Sequence, residues 1–120
     1  MLAVSVPPAN ARIAAVLAGC DLEFAATAAA AIAAARERTF HCAVVSVITP
    51  DAFDVAKVLH EAAPELPIVC VRVLDERHRL TRTTLEGLRL AASAVGARGF
   101  VDFFDFHEDA AIQTAIAALC

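Results

Sequence analysis

Short apolar runs alternate with helix-patterned stretches along this whole chain, and the links between them are too brief for anything but crossovers. Strand, helix and strand in regular succession require a parallel sheet covered by helices on both faces. The runs are Leu2 to Val6, Leu22 to Ala26, Ala43 to Ile48, Ile68 to Val71 and Gly99 to Phe103. The third is nearly all apolar and β-branched, as a central strand buried on both faces must be. Between the runs, Pro7 and Pro8 stop the first strand, and Asn10 is the expected N-cap of a helix over 11–17 that stops at Gly19. Thr27 caps an alanine-dense helix reaching about Arg38. Phe53, Val55, Ala56, Val58 and Leu59 mark a third helix that ends at Pro64. A long fourth helix is predicted over 76–95, with Leu85, Leu88, Ala92 and Val95 on one face and Gly96 as its left-handed cap. Ala110 to Leu119 closes the chain. The pattern predicts one α/β domain over 1–120, with three layers and a five-stranded parallel sheet.

Composition narrows the function classes. The chain is 59% hydrophobic with no Trp or Tyr, so its interior is aliphatic. A net charge of -4 gives no electrostatic reason for nucleic-acid binding, which needs clustered cations. Arg72, Arg77, Arg79 and Arg82 are interleaved with Asp75, Glu76 and Glu86 and read as a solvated helix start. No apolar run is long enough to cross a bilayer, and the N-terminus lacks the pattern of a signal peptide. Cys20, Cys42, Cys70 and Cys120 have no metal-ligand or C-x-x-C spacing. Cys42 and Cys70 sit in apolar runs and read as small buried hydrophobes, which fits a reducing cytoplasm. His41, His60, His78 and His107 are scattered over different elements and do not point to a metal. A Ser46–His107 hydrolase lacks the G-x-S-x-G elbow. Neither a G-x-G-x-x-G nor a P-loop is present, so no cofactor is expected.

The order of pieces resembles the response-regulator receiver family over nearly the whole chain. The resemblance rests on Leu2 to Asn10, Phe40 to Pro50, Pro67 to Val71 and Gly96-Ala97-Arg98-Gly99-Phe100. It implies a flavodoxin-like, doubly wound (βα)5 fold. It also implies where the family's phosphoryl chemistry would stand, and this chain departs from the family at each position. The acidic pair that binds Mg2+ falls on Ser5 and Val6, which offer no carboxylate to a hard cation. The phosphoryl-accepting Asp falls on Ser46, four residues before Pro50. The switch Ser or Thr falls on Arg72, and the phosphoryl-pairing lysine falls on Phe103. The only lysine, Lys57, lies elsewhere. Loss of every position together implies a pseudo-receiver that no longer accepts phosphate and is not an enzyme.

Two regions remain as candidate working surfaces. Ligands of open parallel sheets bind outside the carboxyl ends of the strands. Here that rim carries Ser5, and a candidate pocket of Ser46, Thr49, Arg72 and Asp102, able to hold a small anion unless Arg72 pairs with Asp102 or Asp51 and fills it. The other region is Leu90 on the fourth helix with Phe103, Phe104 and Phe106, where strand alternation would bury one of the first two rings and expose the other. The resemblance implies a homodimer through the fourth helix, fifth strand and fifth helix. Three readings follow: a signalling module working through an unidentified protein partner, a small-anion sensor at the rim, or the receiver-like N-terminal module of a larger protein.

Overall fold

The computed structural model describes residues 1–47, 51–73 and 85–120, the side chain of Leu85 excepted. The sheet is five-stranded and parallel: β1 (Leu2–Val4), β2 (Glu23–Ala25), β3 (Ala43–Ser46), β4 (Ile68–Arg72) and β5 (Gly99–Asp102), in the order β2-β1-β3-β4-β5. The helices are α1 (Pro7–Val16), α2 (Ala28–Glu37), α3 (Ala52–Ala62), α4 (Leu85–Ala94) and α5 (Asp109–Leu119), with a 3-10 turn at Phe103–Asp105. This is the expected doubly wound α/β architecture. Ile48, Thr49, Pro50 and the predicted first half of the fourth helix lie outside the described residues, as do Arg77, His78, Arg79 and Arg82.

Strand alternation divides the interior into two cores. Leu2, Val4, Val45, Ile68, Cys70 and Phe100 face α2, α3 and α4. Ala3, Val44, Val69, Val71 and Val101 face α1 and α5. Alanines such as Ala9, Ala31, Ala56 and Ala92, all fully buried, let the helix backbones approach the sheet closely. The aliphatic composition is thus the packing solution for a sheet covered on both sides.

Several boundaries differ from the sequence expectation. Asn10 is not the N-cap of α1, because the helix begins three residues earlier, at Pro7. Proline suits that position: its φ is already helical, and its missing N–H would have had no helical partner. Asn10 lies inside the helix instead, and its side-chain oxygen accepts the Ser5 hydroxyl. Thr27 does cap α2, its hydroxyl accepting the Ala30 N–H at 3.1 Å. The fifth strand ends at Asp102, so Phe103 belongs to the 3-10 turn rather than to the strand.

The cysteine reading also needs correction. Cys42 is disulfide-bonded to Cys120, with their Cα atoms 5.3 Å apart, whereas Cys20 and Cys70 are free. The two partners are 78 residues apart, a separation that leaves no spacing motif. They meet because Cys42 enters β3 at the sheet edge where α5 ends. Cys70 fits the expected buried hydrophobe, and burial pushes its thiol up to about 12.

On the outer surface, Arg12 of α1 donates to both carboxylate oxygens of Asp109 on α5, at 3.0 and 2.7 Å. These bonds hold the Asp109 carboxyl below its ordinary value. The pair is solvent-exposed, so it orients the two helices more than it stabilises them.

Gly19 and Gly96 both have positive φ, at 93° and 88°. A Cβ on Gly19 would meet nothing within 4 Å, but one on Gly96 would lie 2.7 Å from His60 Nε2. Gly19→Ala is therefore expected to cost about 1–2 kcal/mol from backbone conformation alone. Gly96→Ala should lose about 1–3 kcal/mol more through overpacking. Urea denaturation of both variants checks this; equal losses would mean the imidazole moves aside freely.

Candidate functional site

The carboxyl ends of the strands bring most of the predicted rim residues to one edge but divide them into two groups. Strand order reverses between β1 and β3, and this switch point is where an open sheet leaves a crevice. A cleft of about 350 Å3 opens there, and its polar lining is Ser5, Thr27, Ser46 and Asp51. Ser5 and Ser46 are both buried. Ser5 is satisfied by Asn10, whereas Ser46 Oγ has no hydrogen-bond partner among the described residues. Thr27 and Asp51 come from the starts of α2 and α3, and neither was singled out from the sequence as a site residue together with the two serines. The signal was available in Thr27, which was legible as a helix cap and therefore belongs at a strand-to-helix link on this rim.

Arg72 and Asp102 form the second group and do not line the cleft. They are direct register partners across β4 and β5. Arg72 continues the series of Ile68 and Cys70, and Asp102 that of Phe100, so both follow the α2, α3 and α4 side of the sheet. Ser46 continues the series of Val44, on the opposite side. Alternation thus separates residues that chain order alone had placed in one pocket. Thr49 lies outside the described residues.

The Arg72–Asp102 unit engages its carboxylate completely. Arg72 Nη2 pairs with Asp102 Oδ2. The other oxygen, Oδ1, accepts the Phe104 N–H at 3.0 Å and so caps the 3-10 turn. That turn swings the Phe104 ring over the guanidinium, 5.6 Å from ring centroid to Arg72 Cζ, within cation–π range. Asp102 is 4% exposed, and such a carboxylate persists only when paired and hydrogen-bonded. Both of its oxygens are engaged. The guanidinium Nε is itself buried and unpartnered among the described residues.

The aromatic stretch divides as alternation had suggested, though by a 3-10 turn rather than by a strand. Phe103 is buried against the α1 and α5 core, with Arg12 Cζ 6.0 Å from its ring centroid. The position where the resemblance would put the lysine is thus a phenylalanine whose ring lies in the core. Phe104 is exposed and Phe106 half-buried. Leu90 projects from α4 into solvent, and Lys57 is exposed on α3.

Known structures share this architecture. The chemotaxis response regulator CheY4 of Vibrio cholerae matches with a TM-score of 0.71 at 21% identity, covering 99% of this chain and 96% of that one. A CheY-like response-regulator receiver domain from Methanospirillum hungatei JF-1 matches at 0.68 and 18% identity, covering 98% and 89%. NtrX from Brucella abortus, crystallised with ATP, matches at 0.67 and 24% identity over 98% of this chain but only 26% of its own. No protein-family model matches the chain, and no curated protein matches it in sequence. At these identities the likeness establishes the fold: this chain has the CheY-like, flavodoxin-like receiver fold.

The ion pair makes a double-mutant test possible. Arg72→Met leaves the Asp102 charge buried and alone, and is expected to cost about 2–3 kcal/mol, less than a fully buried pair because the arginine is partly solvated. Adding Asp102→Asn removes the charge but keeps an oxygen for the Phe104 cap. The double variant should return to within about 1 kcal/mol of the natural protein. Denaturation curves decide; additive losses would mean the pair carries no coupling.

Proposed function

We propose that this chain is a non-phosphorylatable receiver-fold module of two-component type, which signals by protein contact and performs no chemistry of its own. The observation that carries this reading is the Arg72–Asp102 pair capped by Phe104. A phosphoryl switch needs a carboxylate acceptor, acids for Mg2+ and a cation to follow the phosphoryl group. At the corresponding positions stand Ser46, Ser5 and Val6, and Phe103 with its ring in the core. A serine hydroxyl without a base beside it is a poor nucleophile. Arg72 already has an internal anion, so no incoming phosphate is needed to hold it. A ligand shifts a conformational equilibrium only through differential affinity for its states, and an internal pair satisfied in one state favours that state permanently.

The working surface in this reading is α4, β5 and α5. Leu90 is 66% exposed and Phe104 54% exposed, large apolar groups that a partner on this face would cover. Homodimerisation through this face, in the cytoplasm, completes the proposal. Among the described residues no helix is long and apolar enough to cross a membrane. The match to a quarter of NtrX's length fits an equivalent role as one module of a larger protein.

A second reading has its own observation. The switch-point cleft is lined by three hydroxyls, one of them the unpartnered Ser46 Oγ, and would suit a small polar metabolite. Binding there would be lost in Ser46→Ala and untouched by Arg72→Met.

Two outcomes are expected. Acetyl phosphate with Mg2+ should give no covalent adduct by intact mass on the natural protein or on Ser46→Asp, since the acids and the lysine are still missing. A stable adduct on the variant contradicts the reading. Sedimentation velocity should show a dimer whose Kd rises at least ~10-fold in Leu90→Glu, as removal of a central apolar anchor predicts. A monomer at all concentrations would remove the dimer from the account.

A further inference from the structure

At the edge of the sheet opposite the rim, a second cleft of about 440 Å3 is lined by Met1, Leu17, Cys20, His41, Ile116 and Cys120, among others. Three of the four cysteines gather here, since Cys120 is bonded to Cys42 at the entry to β3. Cys20 sits in the turn after α1, its N–H bonded to the Leu17 carbonyl at 3.0 Å, and packs against the same apolar cluster as Cys120. It is a free thiol and is half-exposed. Cys42 is fully buried and does not line the cleft, whereas Cys120 is half-exposed and lines it with Cys20, so Cys120 is the half of the bridge that shares the cleft with the free thiol.

We propose that this cleft is a thiol–disulfide exchange site, in which Cys20 attacks the Cys42–Cys120 bridge at Cys120. Exchange runs through a thiolate and transfers the bond to the attacked sulfur. Cys20 loses its proton to solvent in the cleft, and its sulfur bonds to Cys120 Sγ. The Cys42–Cys120 bond breaks, its electron pair leaves on Cys42 Sγ, and that thiolate takes up a proton. No net oxidation occurs. The leaving thiol has an acceptor in place, the Ala43 carbonyl oxygen 3.9 Å away. The bridge then joins the end of α5 to the end of α1 instead of to β3. The same geometry admits a small monothiol of the glutathione class, which would attack Cys120 and leave it as a mixed disulfide until Cys20 resolves it. Bridges that persist only reversibly are the usual form of disulfides in reducing compartments.

Disulfide mapping of the whole protein tests this. The natural protein, held at mildly alkaline pH with a trace of reduced glutathione, is quenched with acid, alkylated and digested without reduction. Expected are linked peptides of both Cys42–Cys120 and Cys20–Cys120, with loss of Cys20 alkylation matched by gain at Cys42. Cys20→Ser should give only the first pair. Cys42→Ser oxidised with glutathione disulfide should give Cys20–Cys120. If Cys20 stays fully alkylated in the natural protein and no Cys20–Cys120 peptide forms, the proposal fails. The natural protein alone decides this, whether or not Cys42→Ser folds.

Discussion

Arg72 and Asp102 face each other across the last two strands, and the arrangement of the rim follows from their need to be together. A carboxylate as buried as that of Asp102 requires a cation, and the partly buried guanidinium of Arg72 supplies it. Register supplies the match without any loop having to adapt. The leftover oxygen of Asp102 then ends the strand by capping the 3-10 turn, and that turn decides which phenylalanine enters the core. Phe103 goes in, and Phe104 goes out over the arginine. One ion pair therefore fixes the end of β5, the apolar filling beneath α5 and the ring presented on the α4, β5 and α5 face.

The fold was largely legible in the sequence. Apolar runs such as Ala43 to Ile48 are too short for helices and too continuous for a half-exposed sheet, so a buried parallel sheet was the only outcome. Gly96 was readable as a left-handed helix cap because its neighbours continue the apolar face up to Val95. Boundaries were harder where two signals competed. Pro7 reads as a strand breaker and equally as a first helical residue, and only the backbone shows that the second role prevails over Asn10 as a cap.

The site was legible as a set of missing groups and less so as an arrangement. Chain order places Ser46, Arg72 and Asp102 at the ends of neighbouring strands, but it does not say that alternation sends the serine to one side and the ion pair to the other. Pairing of Arg72 with Asp102 was one of two partners that sequence left open, and register chose between them. The Cys42–Cys120 bridge carried no signal, because a pair brought together by topology has no spacing to recognise. With it, the two edges of the sheet acquire different characters. The carboxyl edge carries an open cleft at β1 and β3 and the ion pair with its aromatic cover at β4 and β5, and the opposite edge carries the disulfide and the free thiol of Cys20.

The central claim is that Arg72 is already held by Asp102 and that the rim does not answer to phosphate. Its most direct test is an amide NMR titration of the natural protein with Mg2+ and beryllofluoride, which mimics an aspartyl phosphate. The account predicts no saturable shifts at Ser46, Arg72 or Phe104. Saturable shifts at Ser46 or Asp51 that spread to Arg72 and Phe104 would contradict it, because they would show an acceptor still coupled to the switch.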